Sequence, residues 1–174
     1  MLQKIIRKIK NTKGFTSIEV AISVIILLIV ISGFTDLTTI LKKQTTLSSA
    51  NSYVARTVGL QGGVRVNEPQ QFEGYNYVSS QKLYKNLNTM FKDSGVSERD
   101  WECEINGYKL TPTLNMPLID FGDKLRIKMK VKYTWGLVSN FIPGRINGVR
   151  ESERIITSSY KIRNGGFNSS LKLS

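Results

Sequence analysis

The sequence predicts an α+β fold in which a long N-terminal helix accompanies a small antiparallel sheet. Three observations lead there. The run Val20–Thr35 holds no charged residue and is apolar on all sides. Hydrophobic residues then recur at roughly helical spacing through residues 36–60. From Trp101 the period changes to two, and Asn106-Gly107, the strongest short hairpin signal, lies between two such arms. A chain of 174 residues has room for one modest domain plus an anchor.

Residues 1–14 place Leu2, Ile5, Ile6 and Ile9 at helical spacing among Lys4, Arg7, Lys8, Lys10 and Lys13, with no acid. This reads either as a basic amphipathic segment on the inner membrane surface or as a short leader that is removed. Both put this end in the cytoplasm, because Lys and Arg beside a span stay inside. Residues 15–35 form the membrane-embedded half of the helix. The charge-free run of 16 residues is slightly short for a span, which needs about 20, and Phe15 to Glu19 make up the length. Glu19 is then a carboxylate in lipid, at a cost of a few kcal/mol, and requires a partner charge. A secretory signal peptide fits poorly, since no small-residue cleavage site follows the apolar run closely.

Gly14-Phe15-Thr16-Ser17-Ile18-Glu19-Val20 resembles the processing site of type IV prepilins and of their pseudopilin and competence-pilin relatives. The resemblance covers about residues 1–60. It implies cleavage between Gly14 and Phe15 by prepilin peptidase, N-methylation of Phe15, and pairing of Glu19 with the N-terminal amine of a neighbouring subunit. It also implies a pilin-like arrangement, with the long helix laid on the sheet. The sequence departs from the family in two places. The apolar run lacks the proline that many members carry, and Ser17 stands where Leu is common. The Ser/Thr-rich 36–60 segment and Ala55-Arg56 to Gly63 also look like minor pilins of the tight-adherence (TadE-like) group, or like small proteins of Gram-positive conjugative elements.

Residues 36–62 read as an amphipathic continuation of the helix, with Leu37, Ile40, Leu41, Leu47, Tyr53 and Val54 toward a globular head. Gly59, Gly62 and Gly63 mark its stop. The head is expected over 63–164. Residues 64–78 carry turn signals at Asn67, Pro69 and Gly74, and Phe72, Tyr75 and Tyr77 suggest packing. A second helix over 79–94 is capped by Ser79 or Ser80, presents Leu83, Leu87, Met90 and Phe91, and ends at Gly95. Trp101, Cys103 and Ile105 alternate with Glu102 and Glu104, and Tyr108–Thr111 return after the turn. A Pro-containing connection over 112–122 leads to the clearest strand, where Leu125, Ile127, Met129, Val131, Tyr133 and Trp135 alternate with Lys124, Arg126, Lys128, Lys130, Lys132 and Thr134. A loop with Pro143, Gly144, Asn147 and Gly148 precedes a last strand at about 153–163, with Ile156, Tyr160 and Ile162 in phase. Residues 165–174 form a polar, mobile tail.

The chain has no histidine and one cysteine, which removes the Cys-His pair, the Ser-His-Asp triad, the ordinary zinc site and any internal disulfide. No phosphate-binding or dinucleotide glycine pattern is present. Cys103 reads as a buried small hydrophobe. No enzyme activity and no cofactor are expected. The net charge is +12, but five of the 25 basic residues lie in the leader, leaving 20 against 13 acidic residues, or +7. The cationic row Lys124, Arg126, Lys128, Lys130, Lys132 spans about 27 Å along one strand face. It is a candidate contact for DNA or an anionic wall polymer. It is also an ordinary solvated face, with Glu102 and Glu104 as cross-strand partners, whose charges block edge aggregation.

These readings, with the resemblance, point to a single-pass protein of the bacterial membrane with its N-terminus cytoplasmic and its head outside. It is expected to join other pilin subunits in a surface filament for adhesion, DNA uptake or secretion. An assembly ATPase and a platform protein act on it indirectly. The alternative is a signal-anchored extracellular binding domain that never polymerises.

Overall fold

The computed structural model describes residues 2–69, 76–141 and 147–161, with side chains from Thr16 onward. Helix α1 spans Leu2–Gln61 and α2 spans Ser80–Asp93. Strands β1 (Trp101–Ile105), β2 (Tyr108–Lys109), β3 (Lys124–Thr134) and β4 (Asn147–Thr157) form one antiparallel sheet in the order β2-β1-β3-β4. The long helix packs on this sheet, as expected. Two compact units divide the chain. One joins Met1–Leu41 to Thr134–Asn147; the other joins Lys42–Tyr133 to Gly148–Ser174. The expected leader, span and amphipathic half are stretches of one unbroken helix.

The core of the larger unit follows from three amphipathic patterns. Helix α1 contributes Leu47, Ala50, Val54, Ala55 and Val58. Helix α2 contributes Leu83, Leu87 and Phe91, all fully buried, while Met90 is partly buried. Ser79 caps α2 by accepting from the Lys82 amide at 3.3 Å, and Gly95 ends it at φ 71°. The sheet buries Trp101, Cys103 and Ile105 from β1 and Leu125, Ile127, Met129 and Val131 from β3. The Trp101 ring stacks on Phe91 at 5.1 Å between centroids and lies 5.2 Å from Tyr84. Burial pushes the Cys103 thiol up to about 12, in keeping with a packing role.

The Asn106-Gly107 turn has both residues at positive φ, 52° and 85°, which joins β1 to β2 as a tight hairpin. The register sets Ile105 opposite Tyr108, but the return arm is only two residues long, shorter than the expected Tyr108–Thr111. Leu110 is buried and its amide reaches the Cys103 carbonyl at 2.8 Å.

Several expectations need correction. Leu37 and Leu41 are 41% and 52% exposed rather than buried with Ile40 and Leu47. At about 100° per residue, Leu41 lies off the stripe that Ile40, Leu47, Val54 and Val58 define. Gly59 is not a stop. It lies inside α1, where a Cβ would come within 3.1 Å of Ile156 Cδ1, so its missing side chain lets β4 approach. The last strand runs over 147–157 rather than 153–163. Its inner face carries Ser152, which accepts a 2.7 Å hydrogen bond from buried Asn51, and this polar pair hides the alternation. Gly148, read as a loop residue, is a strand residue lying directly against the Tyr133 ring. After Thr157 the backbone is held by Ser158 N to Asp123 O and Ser159 N to Gly59 O, so Tyr160 is buried outside the strand. The expectations for Phe72, Gly74, Tyr75, Pro143, Gly144, Ile162 and the 165–174 tail lie outside the described residues, as do those for the side chains of 1–15.

The α1 stop itself is a strained, crowded point. Gly62 has φ 69°, and a Cβ there would sit 2.7 Å from both Ile119 O and Tyr160 Cβ. Gly95 has a similar φ of 71° with open space around it. Gly95→Ala is therefore expected to cost about 1–2 kcal/mol for the backbone conformation alone. Gly62→Ala adds overlap with fixed backbone and is expected to cost about 2–4 kcal/mol. Denaturant titration of both variants in detergent, followed by circular dichroism, checks this; equal losses would contradict it.

Candidate functional site

The site predicted in the sequence lies on the first half of α1. In the stretch beginning at Thr16, the most apolar 18-residue window has no buried residue, and the helix is long and apolar enough to cross a membrane. Ile18, Val20, Ile22, Val24, Ile25, Ile26, Leu27, Leu28, Val30 and Ile31 are all exposed, around the whole circumference. At about 1 kcal/mol for each half-exposed side chain, holding these ten in water forgoes on the order of 10 kcal/mol. That rivals the whole stability of a typical domain, a cost that an apolar surrounding would remove.

Its hydroxyls are compatible with one. Ser23 Oγ donates to Glu19 O at 2.8 Å and Thr35 Oγ1 donates to Ile31 O at 3.0 Å. Both of these polar hydrogens are thus consumed by a carbonyl one turn back.

Two carboxylates bracket the run, about 25 Å apart along the axis. Glu19 is exposed near its start and borders a shallow groove with Thr16, Val20, Ser23, Val24 and Leu27. The ion pairs Lys109–Glu102, Arg126–Glu153, Lys128–Glu151 and Lys130–Glu151 lie on the sheet, and Glu19 has no ion pair among the described residues. Asp36 is its opposite. It is 7% exposed and accepts from Leu137 N at 2.9 and 3.1 Å and from Val138 N at 2.8 Å. These amides open the 3-10 turn Val138–Asn140, so one carboxylate satisfies donors that a short turn leaves unpaired. Sequence reasoning missed Asp36. The available signal was an acid directly after the apolar run, with no base three or four residues away on either side.

The cationic row is placed as expected. Lys124, Arg126, Lys128, Lys130 and Lys132 alternate with buried residues along β3. The flanking strands bring acids to them. Glu102 and Glu104 lie opposite Lys130 and Lys128 on β1. On β4, Glu151 lies 3.0 Å from Lys130 and 3.7 Å from Lys128, and Glu153 lies 3.3 Å from Arg126. Glu102 pairs with Lys109 at 3.1 Å. The hydrogen bond with Lys130 holds the Glu151 carboxyl below its ordinary range, and the same bond raises Lys130. The face is a lattice of alternating sign rather than a cationic stripe. The spacing Glu151-x-Glu153 in a strand was the signal for its acidic half.

Comparison with known protein families, with curated proteins and with solved structures gives no match.

If the β4 acids screen the row, Glu151→Ala with Glu153→Ala is expected to raise the salt needed to elute the detergent-solubilised chain from heparin. Each further phosphate-like contact freed steepens the salt slope by about one. Unchanged elution would mean that the acids do not screen the row.

Proposed function

We propose that the chain is a membrane-anchored structural subunit of the type IV prepilin kind, whose mechanism is assembly rather than catalysis. In this reading prepilin peptidase removes residues 1–14, Phe15 becomes the methylated N-terminus, and α1 holds the subunit in the membrane with its head outside. An ATPase and platform protein then move it into a filament beside other subunits. The observation that carries the reading is the combination on α1: an apolar surface with no buried residue, a single exposed carboxylate at its start, and a continuous second half that packs on the sheet.

Glu19 supplies the register. In lipid its charge is uncompensated, at a cost of a few kcal/mol. Transfer to a position beside the amine of a neighbouring Phe15 relieves that cost and selects one axial stagger. A shift of one helical turn, about 5.4 Å, breaks the pair. The cationic face of β3 stays available for an anionic polymer only to the extent that its acids yield.

Intact mass and N-terminal sequencing of the membrane-bound chain, with and without prepilin peptidase, test the reading. The expected product starts at Phe15 and is one methyl heavier. A chain that keeps Met1–Gly14 beside an active peptidase would favour the signal-anchored binding domain instead. Glu19→Gln is expected to be processed normally yet drop from the sheared filament fraction by about a hundredfold, the equivalent of a few kcal/mol. Normal incorporation of that variant would remove Glu19 from the assembly step.

A further inference from the structure

We propose that Trp135–Phe141, the first part of the segment joining β3 to β4, is a membrane-interface foot. It is clamped to the outer end of the apolar run and rests Trp135, Leu137 and Phe141 in the headgroup–acyl boundary of the bilayer. The proposal depends on the reading of α1 as a span.

Depth along the helix is the first ground. The segment meets α1 inside the apolar run, not beyond it: a Cβ on Gly33 would lie 3.9 Å from Val138 Cγ2. Gly33 is about 4.5 Å deeper along the axis than Asp36. Val138 is 8% exposed, and Ile29, Ser32 and Gly33 are less exposed than the residues around them. A bilayer that covers α1 as far as Thr35 therefore reaches the level of Val138. Interfacial burial by apolar side chains extends about 5–10 Å, which matches this offset.

Chemistry is the second ground. Trp135-Gly-Leu-Val-Ser-Asn-Phe141 has no charged residue. Leu137 and Phe141 are each 42% exposed, Trp135 is half-buried, and Phe34 and Leu37 on α1 add exposed apolar surface in the same unit. Tryptophan is enriched at the headgroup level. Irregular backbone is tolerated at such depth only when its polar groups are paired. Here Asp36 takes the amides of Leu137 and Val138. Asn140 N reaches Leu137 O at 3.1 Å, Phe141 N reaches Val138 O at 3.0 Å, and Ser139 Oγ donates to Trp135 O. Asp36 thus positions the foot while its own charge is spent on amides rather than left facing lipid.

The test uses the full chain carrying Trp101→Phe, which leaves Trp135 as the only tryptophan, in phosphatidylcholine–phosphatidylglycerol vesicles. Lipids brominated near the headgroup end of the acyl chain are expected to quench about half or more of its emission, and lipids brominated near the chain terminus much less. A second chain, with both tryptophans changed to Phe and Val24→Trp, reports the span and is expected to show the reverse depth preference. In the Trp101→Phe chain, Asp36→Ala is expected to release the foot and lower quenching of Trp135. In the Val24→Trp chain the same change is expected to leave quenching as it was. Quenching at position 24 without quenching of Trp135 overturns the foot and leaves the span standing. No quenching at either position overturns both. Trp135 shielded at high protein density and quenched only on dilution assigns this surface to a second copy and overturns the bilayer as its occupant.

Discussion

The structure depends on one constraint: a single unbroken helix must satisfy two surroundings. Over residues 18–31 α1 presents apolar side chains in every direction, and over residues 47–58 it presents one narrow stripe to a sheet. The chain meets the constraint by changing residue size rather than by breaking the helix. Branched aliphatics fill the first half, whereas Ala50, Ala55 and Gly59 thin the second half where the head comes close. No proline occurs before Pro69, so no amide is lost from the helical ladder. In this chain α1 runs as one element from Leu2 to Gln61.

The same constraint explains why the two carboxylates of α1 differ. A carboxylate beside an apolar stretch needs donors, because desolvation of its charge costs several kcal/mol when unpaired. Asp36 finds them within its own chain, in the amides of Leu137 and Val138. The result is local: it draws a loop against the helix and buries Val138. Glu19 has no ion pair among the described residues, and in the proposed reading its partner comes from another subunit. One acid organises the subunit and the other is left to organise a contact.

Elements with strong periodicity were legible in the sequence. The all-round apolar run, the α2 face of Leu83, Leu87 and Phe91, the Asn106-Gly107 turn and the alternation of β3 each follow from a period or a turn preference, and each stands where it was read, except that β3 ends at Thr134 and leaves Trp135 outside the strand. What failed to show was tertiary in origin. The start of β4 was hidden because Ser152 faces inward to meet Asn51 and because Gly148 resembles loop punctuation until the Tyr133 ring is seen against it. Leu37 and Leu41 satisfied a loose helical spacing but not the stricter stripe that the sheet selects. Asp36 escaped because its donors are a hundred residues away in the chain, where no spacing rule reaches. Of the residues singled out in the sequence, Glu19 is exposed and the cationic row alternates along one strand, whereas the acids of β4 beside the row lie on a strand that starts earlier than was read.

The sheet edges bear on how such a subunit would meet its neighbours. A free strand edge is a template for pairing with another chain. Here one edge is β2, only two residues long. The other is β4, which carries Arg150, Glu151, Glu153 and Arg154 in its middle, and its Glu151 and Glu153 are engaged by cations of β3. Adding a strand to β4 would set a foreign backbone against this charged row and disturb pairs that already close on the sheet. Both edges are therefore poor places for chain-to-chain growth. The lattice of alternating sign on the outer face likewise offers no broad apolar contact. By elimination among the described surfaces, the large apolar area lies on the first half of α1. If copies of this chain associate, the helices are where the favourable energy is, and a charge at Glu19 is the feature on that area able to set the register.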